Sequence, residues 1–98
     1  MSAALEFLPE AVLEVEEATR FYEERVPGLG GGFRSELMSA CNAVTREPLL
    51  WRKRPGGFRH VNLPSFLFYV AYFIRGERIL VAAVGHVSRH PNYWQQRQ

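Results

Sequence analysis

Residues 66–74, which read FLFYVAYFI, constrain the fold more than any other part of the chain. The run has the length of one strand, and it consists largely of β-branched and aromatic residues, which favour strands. Residues 75–78 then make a short connection to a second apolar run, from Ile79 to Val87. Two adjacent antiparallel strands are the simplest arrangement of these segments. We therefore predict a hairpin that includes the central strand of a sheet.

Two amphipathic helices are predicted ahead of this hairpin. From Glu10 to Arg25 the apolar residues recur at steps of three and four, with glutamates between them, which is the spacing of one helix face. Pro27 and the glycines that follow it should end this helix, and a second apolar stripe with helical spacing begins at Phe33. The pattern predicts a helical hairpin with a glycine hinge between its two helices.

These elements predict one α+β domain over residues 1–98, since 98 residues is close to the common size of a single domain. An α-helical hairpin should pack on one face of a twisted antiparallel β-sheet, which includes the N-terminal β-strand. The helical stripes need a shared apolar surface, and FLFYVAYFI is the only segment apolar enough to form its centre. The predicted helices cover residues 9–26 and 32–47, and the predicted strands cover residues 3–8, 57–63, 66–74 and 78–88.

The net charge of +2 hides a marked asymmetry. Residues 1–50 carry nine of the ten acidic residues and a net charge of −5, whereas residues 51–98 carry eight of the twelve basic residues and a net charge of +7. Eleven of the twelve cations are arginine, whose planar guanidinium suits phosphate, carboxylate and aromatic partners. An acidic partner for the C-terminal half is one interpretation, and simple solvation of the domain by these charges is the other.

The sequence favours a cytoplasmic protein. Cys41 is the only cysteine, so no internal disulfide can form, and its place on the second helical stripe predicts a small buried apolar residue rather than a nucleophile. The N-terminus lacks the basic region of an export signal. No window approaches the roughly 18 apolar residues that a membrane span requires, so we expect no membrane partner.

No metal or other cofactor is predicted. The GLGGGF stretch lacks the lysine and the hydroxyl residue of a phosphate-binding loop, and it follows a helix rather than a strand. His60, His86 and His90 offer three imidazoles, but the chain has no aspartate and no second cysteine to complete a tetrahedral site.

A basic cluster with aromatic neighbours follows the predicted helices. Its members are Arg52, Lys53, Arg54 and Arg59, beside Trp51 and Phe58. Such a mixture of charge and stacking surface suits nucleic acid, and it equally suits an acidic, apolar peptide. A third interpretation is an arginine-rich sheet edge that discourages aggregation. The residues alone do not choose among the three.

The order of these segments resembles the ParE/RelE toxin superfamily. The resemblance rests on FYEERVPGLGGGF in the first half and on RHVNLPSFLFYVAYFIRGERILVAAVGHVSRHPNYWQQR in the second, so it spans nearly the whole chain. Its most specific part is the carboxyl end, which contains His86, Arg89, Pro91, Tyr93, Trp94 and Arg97, together with Arg59 at the start of the strand region. It implies the same α+β fold, growth arrest by the free toxin, and a cognate antitoxin whose C-terminal segment wraps the toxin as a hetero-oligomer.

Two activities are described in that superfamily, and the residues favour one of them. RelE-like members cut messenger RNA on the ribosome with basic side chains on the sheet and a tyrosine near the C-terminus. In a gap-free comparison those basic positions fall on His60, Asn62, Tyr69 and Val87, and only Tyr93 is retained. ParE-like members are described as poisons of DNA gyrase without catalytic residues of their own. Because the charge for a transition-state phosphate is largely missing, the ParE-like branch is favoured.

The resemblance therefore predicts the toxin of a type II toxin–antitoxin (plasmid stabilisation) system that inhibits DNA gyrase, with a ribosome-dependent messenger RNA endoribonuclease as the alternative. A third hypothesis is an inert member that only binds its antitoxin. Under the alternative, the catalytic candidates are Arg89, Tyr93 and His86, with Arg89 substituting for the arginine missing at Val87. The residues expected to bind the antitoxin or the target are Arg54, Arg59, His86, Arg89, Tyr93 and Trp94. Capping of the core is an alternative role for Tyr93 and Trp94.

Overall fold

The computed structural model describes residues 4–89 and 93–97. In chain order the elements are β1 (Ala4–Phe7), α1 (Pro9–Arg25), α2 (Leu29–Arg46), β2 (Arg59–Asn62), β3 (Phe68–Arg75), β4 (Arg78–His86) and a short 3-10 helix (Gln95–Arg97). The six predicted elements are all present, with ends within three residues of the predicted ones. Residue 3 of the first predicted strand, and His90 and Pro91 of the carboxyl-end motif, lie outside the described residues. No helix within the described ranges is long and apolar enough to cross a membrane.

The four strands form one sheet in the order β1-β4-β3-β2. Strand β3 pairs with β2 on one side and with β4 on the other, and both pairs are antiparallel, as predicted. The first strand differs from the prediction, because β1 pairs with β4 in parallel and the sheet is mixed. A parallel pair requires a long crossover connection, and the two helices and two strands between β1 and β4 supply it. The α+β class, with a helical hairpin on a sheet, is confirmed.

The main core lies between the helices and one face of the sheet. The helix residues that it buries are Ala11, Val15 and Ala18 from α1, and Phe33, Leu37, Cys41 and Val44 from α2. Their spacing of three and four is the stripe that the sequence predicts, and each large side chain contributes about 1.5–3 kcal/mol by leaving water. Cys41 is buried as expected, and this burial raises the pKa of its thiol to about 11.

The opposite face of the sheet has a smaller core of its own. A bulge in β4 helps to build it: Ala71 is opposite Ala83 and Tyr72 is opposite Val81, which leaves Ala82 without a partner in β3. As a result the adjacent residues Ala82 and Ala83 both belong to this second core. Its buried members are Phe58, Tyr69, Ala71, Phe73, Ala82, Ala83 and Trp94.

Most of the glycines that were predicted to form a hinge between the helices are helical instead. Helix α2 begins at Leu29, so three of these glycines, at 30–32, lie inside its first turns. At this junction only Gly28 has the left-handed backbone that favours glycine, with a φ of 91°. Its N–H and that of Gly30 donate to the Glu23 carboxylate at 2.8 and 3.0 Å. A side chain of α1 therefore caps the start of α2.

Gly30 lies where the two helices come closest. A Cβ atom at this position would lie 2.6 Å from the backbone carbonyl oxygen of Thr19, whereas a Cβ at Gly31 would meet nothing within 4 Å. The absence of a side chain at Gly30 therefore permits the close approach of α1 and α2. Gly31 has no such packing role.

We predict opposite effects for the two adjacent glycine substitutions. Gly30→Ala should lower the free energy of unfolding by about 1–3 kcal/mol, because backbone atoms must separate to admit the methyl group. Gly31→Ala should raise it by about 0.5–1 kcal/mol, because alanine loses less entropy in a helix. Urea denaturation of both variants measures the difference. Equal effects of the two substitutions would contradict the close helix packing at Gly30.

Candidate functional site

The carboxylate of Glu14 fastens the C-terminal segment to α1. Its Oε2 accepts hydrogen bonds from the Tyr93 hydroxyl at 2.6 Å and from Arg97 Nη2 at 3.2 Å. Its Oε1 accepts from Arg97 Nη1 at 3.0 Å and from the backbone N–H of Val84 at 2.9 Å. The Glu14 side chain is 10% exposed and that of Arg97 is 17% exposed. A carboxylate this far from water requires paired donors, and here it has four. We call Glu14, Tyr93, Arg97 and the Val84 N–H the Glu14 cluster.

The Glu14 cluster also completes one part of the sheet. Strand β1 ends at Phe7, while β4 continues to His86. Beyond the end of β1, the Ala82 carbonyl accepts from Arg97 Nη1 at 3.2 Å, and the Val84 N–H donates to Glu14. Side chains from α1 and from the C-terminal segment thus satisfy backbone groups of β4, which is the usual requirement for buried polar groups.

Three of the predicted residues come together beside this cluster. His86, Arg89 and Tyr93 line a shallow pocket of about 260 Å³ between α1 and the sheet. Glu17 and Phe21 line the same pocket on the helix side. We call these five residues the terminal patch. The Arg89 guanidinium lies over the Tyr93 ring at 3.9 Å from its centroid, in cation–π geometry. The patch therefore presents an arginine on an aromatic support at the surface.

The hydroxyl of Tyr93 is held by the Glu14 cluster. Burial, the hydrogen bond to Glu14 and the negative charge of Glu14 all raise the pKa of Tyr93 well above its ordinary value, although the charge of Arg89 opposes them. The hydroxyl therefore stays protonated and donates its hydrogen bond to the Glu14 carboxylate. Tyr93 is thus a neutral donor to Glu14 while its ring supports Arg89.

Trp94 lies in the second core and not in the terminal patch. It is 1% exposed, and its Nε1–H donates to the Tyr69 hydroxyl at 3.0 Å. Its ring meets the Phe58 ring edge to face, with 4.7 Å between centroids. These contacts correspond to the core-capping role that the sequence allowed for Trp94, because a partner has no access to its side chain.

Arg54 and Arg59 lie at the other edge of the sheet, near β2. Arg59 Nη1 donates to the Trp51 carbonyl at 3.2 Å. The backbone N–H of Arg54 donates to the Phe58 carbonyl at 2.7 Å and helps to close the loop before β2. The six predicted binding residues therefore divide into the terminal patch, this second edge and one buried tryptophan.

An apolar groove of about 400 Å³ runs between β1 and the helical hairpin, where the sequence predicted only core. Its floor contains Leu37 and Cys41, and its walls include Val12 and Met38, which are 42% and 63% exposed. The remaining lining residues are Leu5, Phe7, Val15, Glu16, Arg34, Asn42 and Thr45. We call this surface the apolar groove. Its sequence signal was weak, because these residues also fit the margins of the helical stripes.

Sequence reasoning also missed Glu14. In the sequence Glu14 is one of several glutamates that separate the apolar residues of α1, and nothing local distinguishes it from the others. Its contacts with Tyr93 and Arg97 span 79 and 83 residues of chain. Its partners Tyr93 and Arg97 did belong to the carboxyl-end resemblance, but nothing in the sequence pointed from them to Glu14. Within residues 4–89 and 93–97, no three potential metal ligands lie together, and His90 lies outside these ranges.

We predict that Glu14→Gln lowers the free energy of unfolding by about 3 kcal/mol, because Arg97 then keeps a largely buried charge without its counter-ion. Glu17→Gln is the matched control, since Glu17 is an exposed residue of the same helix and its loss should change the value by less than about 0.5 kcal/mol. Urea denaturation measures both.

A double-mutant cycle isolates the ion pair from other effects. Glu14→Gln combined with Arg97→Gln should cost less than the sum of the two single substitutions, by about 1 kcal/mol or more. Strict additivity would show that the two side chains stabilise the fold independently of each other.

No protein-family model matches this sequence, and no curated protein matches it. In structure the chain is similar to a chain of the chromosomal ParDE TA system from P. aeruginosa, with a TM-score of 0.76 over 87% of this chain and 96% of that chain. The two sequences are 13% identical, so the likeness concerns the fold. The chain shares the α+β fold of that ParDE-system chain, as the sequence resemblance implied.

Proposed function

We propose that this chain is the ParE-like toxin of a type II toxin–antitoxin system, which inhibits DNA gyrase by binding and is neutralised by a cognate antitoxin. The observation that carries the proposal is the position of Tyr93: the one residue retained from the ribonuclease set donates its hydroxyl to Glu14 at 2.6 Å. The fold shared with a ParDE-system chain supports the same branch. Because gyrase acts on chromosomal DNA, the proposed place of action is the cytoplasm.

The positions that a ribonuclease needs for charge are neutral here. Asn62 is an exposed amide at the end of β2, and Val87 is an exposed aliphatic residue. Tyr69 is 7% exposed, and its hydroxyl accepts the Trp94 hydrogen bond. Burial lowers the pKa of His60, and the charges of Arg54 and Arg52 lower it further, so its imidazole is mostly neutral at pH 7. Nothing at these four positions would stabilise a pentavalent phosphate.

Tyr93 is poorly suited to acid–base catalysis. A catalytic group acts best when its pKa lies near the working pH, and that of Tyr93 is raised far above this range. Proton loss from the hydroxyl would also place two negative charges against each other at the Glu14 cluster. These properties favour binding over chemistry.

We assign contact with the target to the terminal patch. Arg89 is exposed and is held over the Tyr93 ring, and Phe21 beside it is 47% exposed. Arginine and aromatic residues supply most of the energetically important contacts at protein interfaces. His86 adds an imidazole at the rim of the same pocket.

We assign the antitoxin to the apolar groove and to the basic sheet edge. Burial of Val12 and Met38, which a folded monomer leaves exposed, would supply much of the affinity. Acidic residues of the antitoxin would then reach Arg54 and Arg59, which fix its orientation and speed its association. The product is a toxin–antitoxin hetero-oligomer that covers both the helical hairpin and the sheet edge.

We predict that Met38→Glu weakens antitoxin binding by at least about 30-fold, because a charge must then be buried in the apolar groove at a cost of about 2 kcal/mol or more. Ser39→Glu is the matched control, since it adds the same charge at the next, exposed position of α2 outside the groove. Calorimetric titration with the cognate antitoxin measures both.

Association should also slow as salt is raised to physiological levels, and salt-independent rates would contradict the role given to the arginines.

We predict that the purified toxin inhibits gyrase supercoiling and leaves messenger RNA on ribosomes intact. Arg89→Ala should weaken the inhibition about 30-fold, which corresponds to the loss of about 2 kcal/mol at a central interface residue. Arg78→Ala is the control, because Arg78 pairs with Glu6 on a different part of the sheet. Supercoiling and message integrity are recorded in parallel. Message cuts that disappear in Tyr93→Phe, with supercoiling untouched, would instead show the ribonuclease alternative.

A further inference from the structure

A small basic pocket of about 220 Å³ lies at the edge of the sheet formed by β2. Three cationic side chains line it, from Lys53, Arg59 and Arg75, together with Gly56, Gly57, Phe73 and Ile74. None of the lining residues that the structure describes is acidic. We call it the β2-edge pocket, and we propose that it binds backbone phosphates of duplex DNA.

Among the described residues, no carboxylate forms an ion pair with the cations of the β2-edge pocket. In the described part of the chain, the ion pairs join Arg78 to Glu6 and Arg97 to Glu14, and neither includes a residue of this pocket. What distinguishes these three cations is that they line one small pocket together. Such a concentration of positive charge without a counter-ion attracts polyanions.

Two of the three cations are already oriented. Arg59 donates from Nη1 to the neutral Trp51 carbonyl, which holds the guanidinium in place without reducing its charge. The Arg75 guanidinium lies 4.8 Å from the centroid of the Phe73 ring. Guanidinium groups fixed in this way lose little further freedom when they donate to a phosphate.

The loop wall of the pocket allows a ligand to approach closely. Gly56 and Gly57 have φ values of 98° and 89°, a conformation that glycine adopts without strain. A Cβ atom built on Gly57 would have nothing within 4 Å, so the backbone there borders open space. A phosphate can therefore reach the bottom of the pocket beside the cations.

The surroundings favour duplex DNA over single strands and peptides. Sites for single strands present exposed aromatic faces to the bases, but Phe58 and Phe73 are 7% and 2% exposed. Acidic peptides gain much of their affinity from apolar anchors, and only Ile74 is partly available here. A duplex needs neither, because its backbone carries about one charge per 1.7 Å of axis. Arg52 and Arg54 add positive charge near β2, where both lower the pKa of His60.

The test is the binding of a fluorescent duplex of about 20 base pairs to the purified chain, followed by anisotropy between about 50 and 200 mM salt. Neutralisation of three phosphates predicts a slope of log K against log salt of about −2.7. Lys53→Gln/Arg75→Gln removes two exposed cations, so the slope should fall to about −0.9. This change corresponds to about 60-fold weaker binding at 0.1 M salt when both slopes meet at 1 M.

Arg20→Gln/Arg25→Gln is the matched control, since it removes two exposed arginines of α1 and should leave the slope unchanged. Thermal unfolding of each variant establishes that the fold is intact. Absence of duplex binding, or equal weakening by both double variants, would overturn the proposal. So would tighter binding of a single strand of equal length, or more effective competition by poly-glutamate than by duplex. Gyrase is absent from the assay, so its outcome is independent of the proposed target.

Discussion

The carboxylate of Glu14 is the interaction on which the second half of the structure depends. It binds Tyr93, Arg97 and the Val84 N–H, and it thereby attaches the last residues of the chain to the first helix. The segment held in this way carries Trp94, whose ring closes the core on the far side of the sheet. The same segment supplies the Tyr93 ring under Arg89. Loss of one buried charge would therefore affect stability, the second core and the terminal patch together.

This arrangement also bears on function. The shared fold by itself does not distinguish an enzyme from an inhibitor, because one fold supports many activities. The distinction lies in how individual groups are used. Here the retained tyrosine is a structural donor, and the positions that would need charge carry an amide, an aliphatic side chain, a buried phenol and a mostly neutral imidazole. These features support the binding role that we propose.

The described residues form three surfaces that a partner could reach, and these lie at different places on the fold. The terminal patch lies between α1 and the end of β4, and the apolar groove lies between β1 and the helical hairpin. The β2-edge pocket lies at the edge of the sheet opposite β1. The terminal patch presents an arginine stacked on a tyrosine ring, the apolar groove presents aliphatic side chains, and the β2-edge pocket presents cations. Under the proposed assignments, the terminal patch shares no residue with the other two surfaces, whereas Arg59 of the β2-edge pocket also belongs to the sheet edge assigned to the antitoxin.

The sequence by itself determined the helices, the β3–β4 hairpin, the burial of Cys41 and the general fold, because apolar spacing and turn residues are local signals. Only the tertiary structure decided the parallel pairing of β1 with β4, the helical state of Gly30 and the burial of Trp94. The Glu14 cluster belongs to the same group. Its members are about 80 residues apart in the chain, and any exposed glutamate of α1 has the same local pattern. Long-range pairing selects one of them, since only the packed sheet and helix bring its carboxylate to Tyr93 and Arg97.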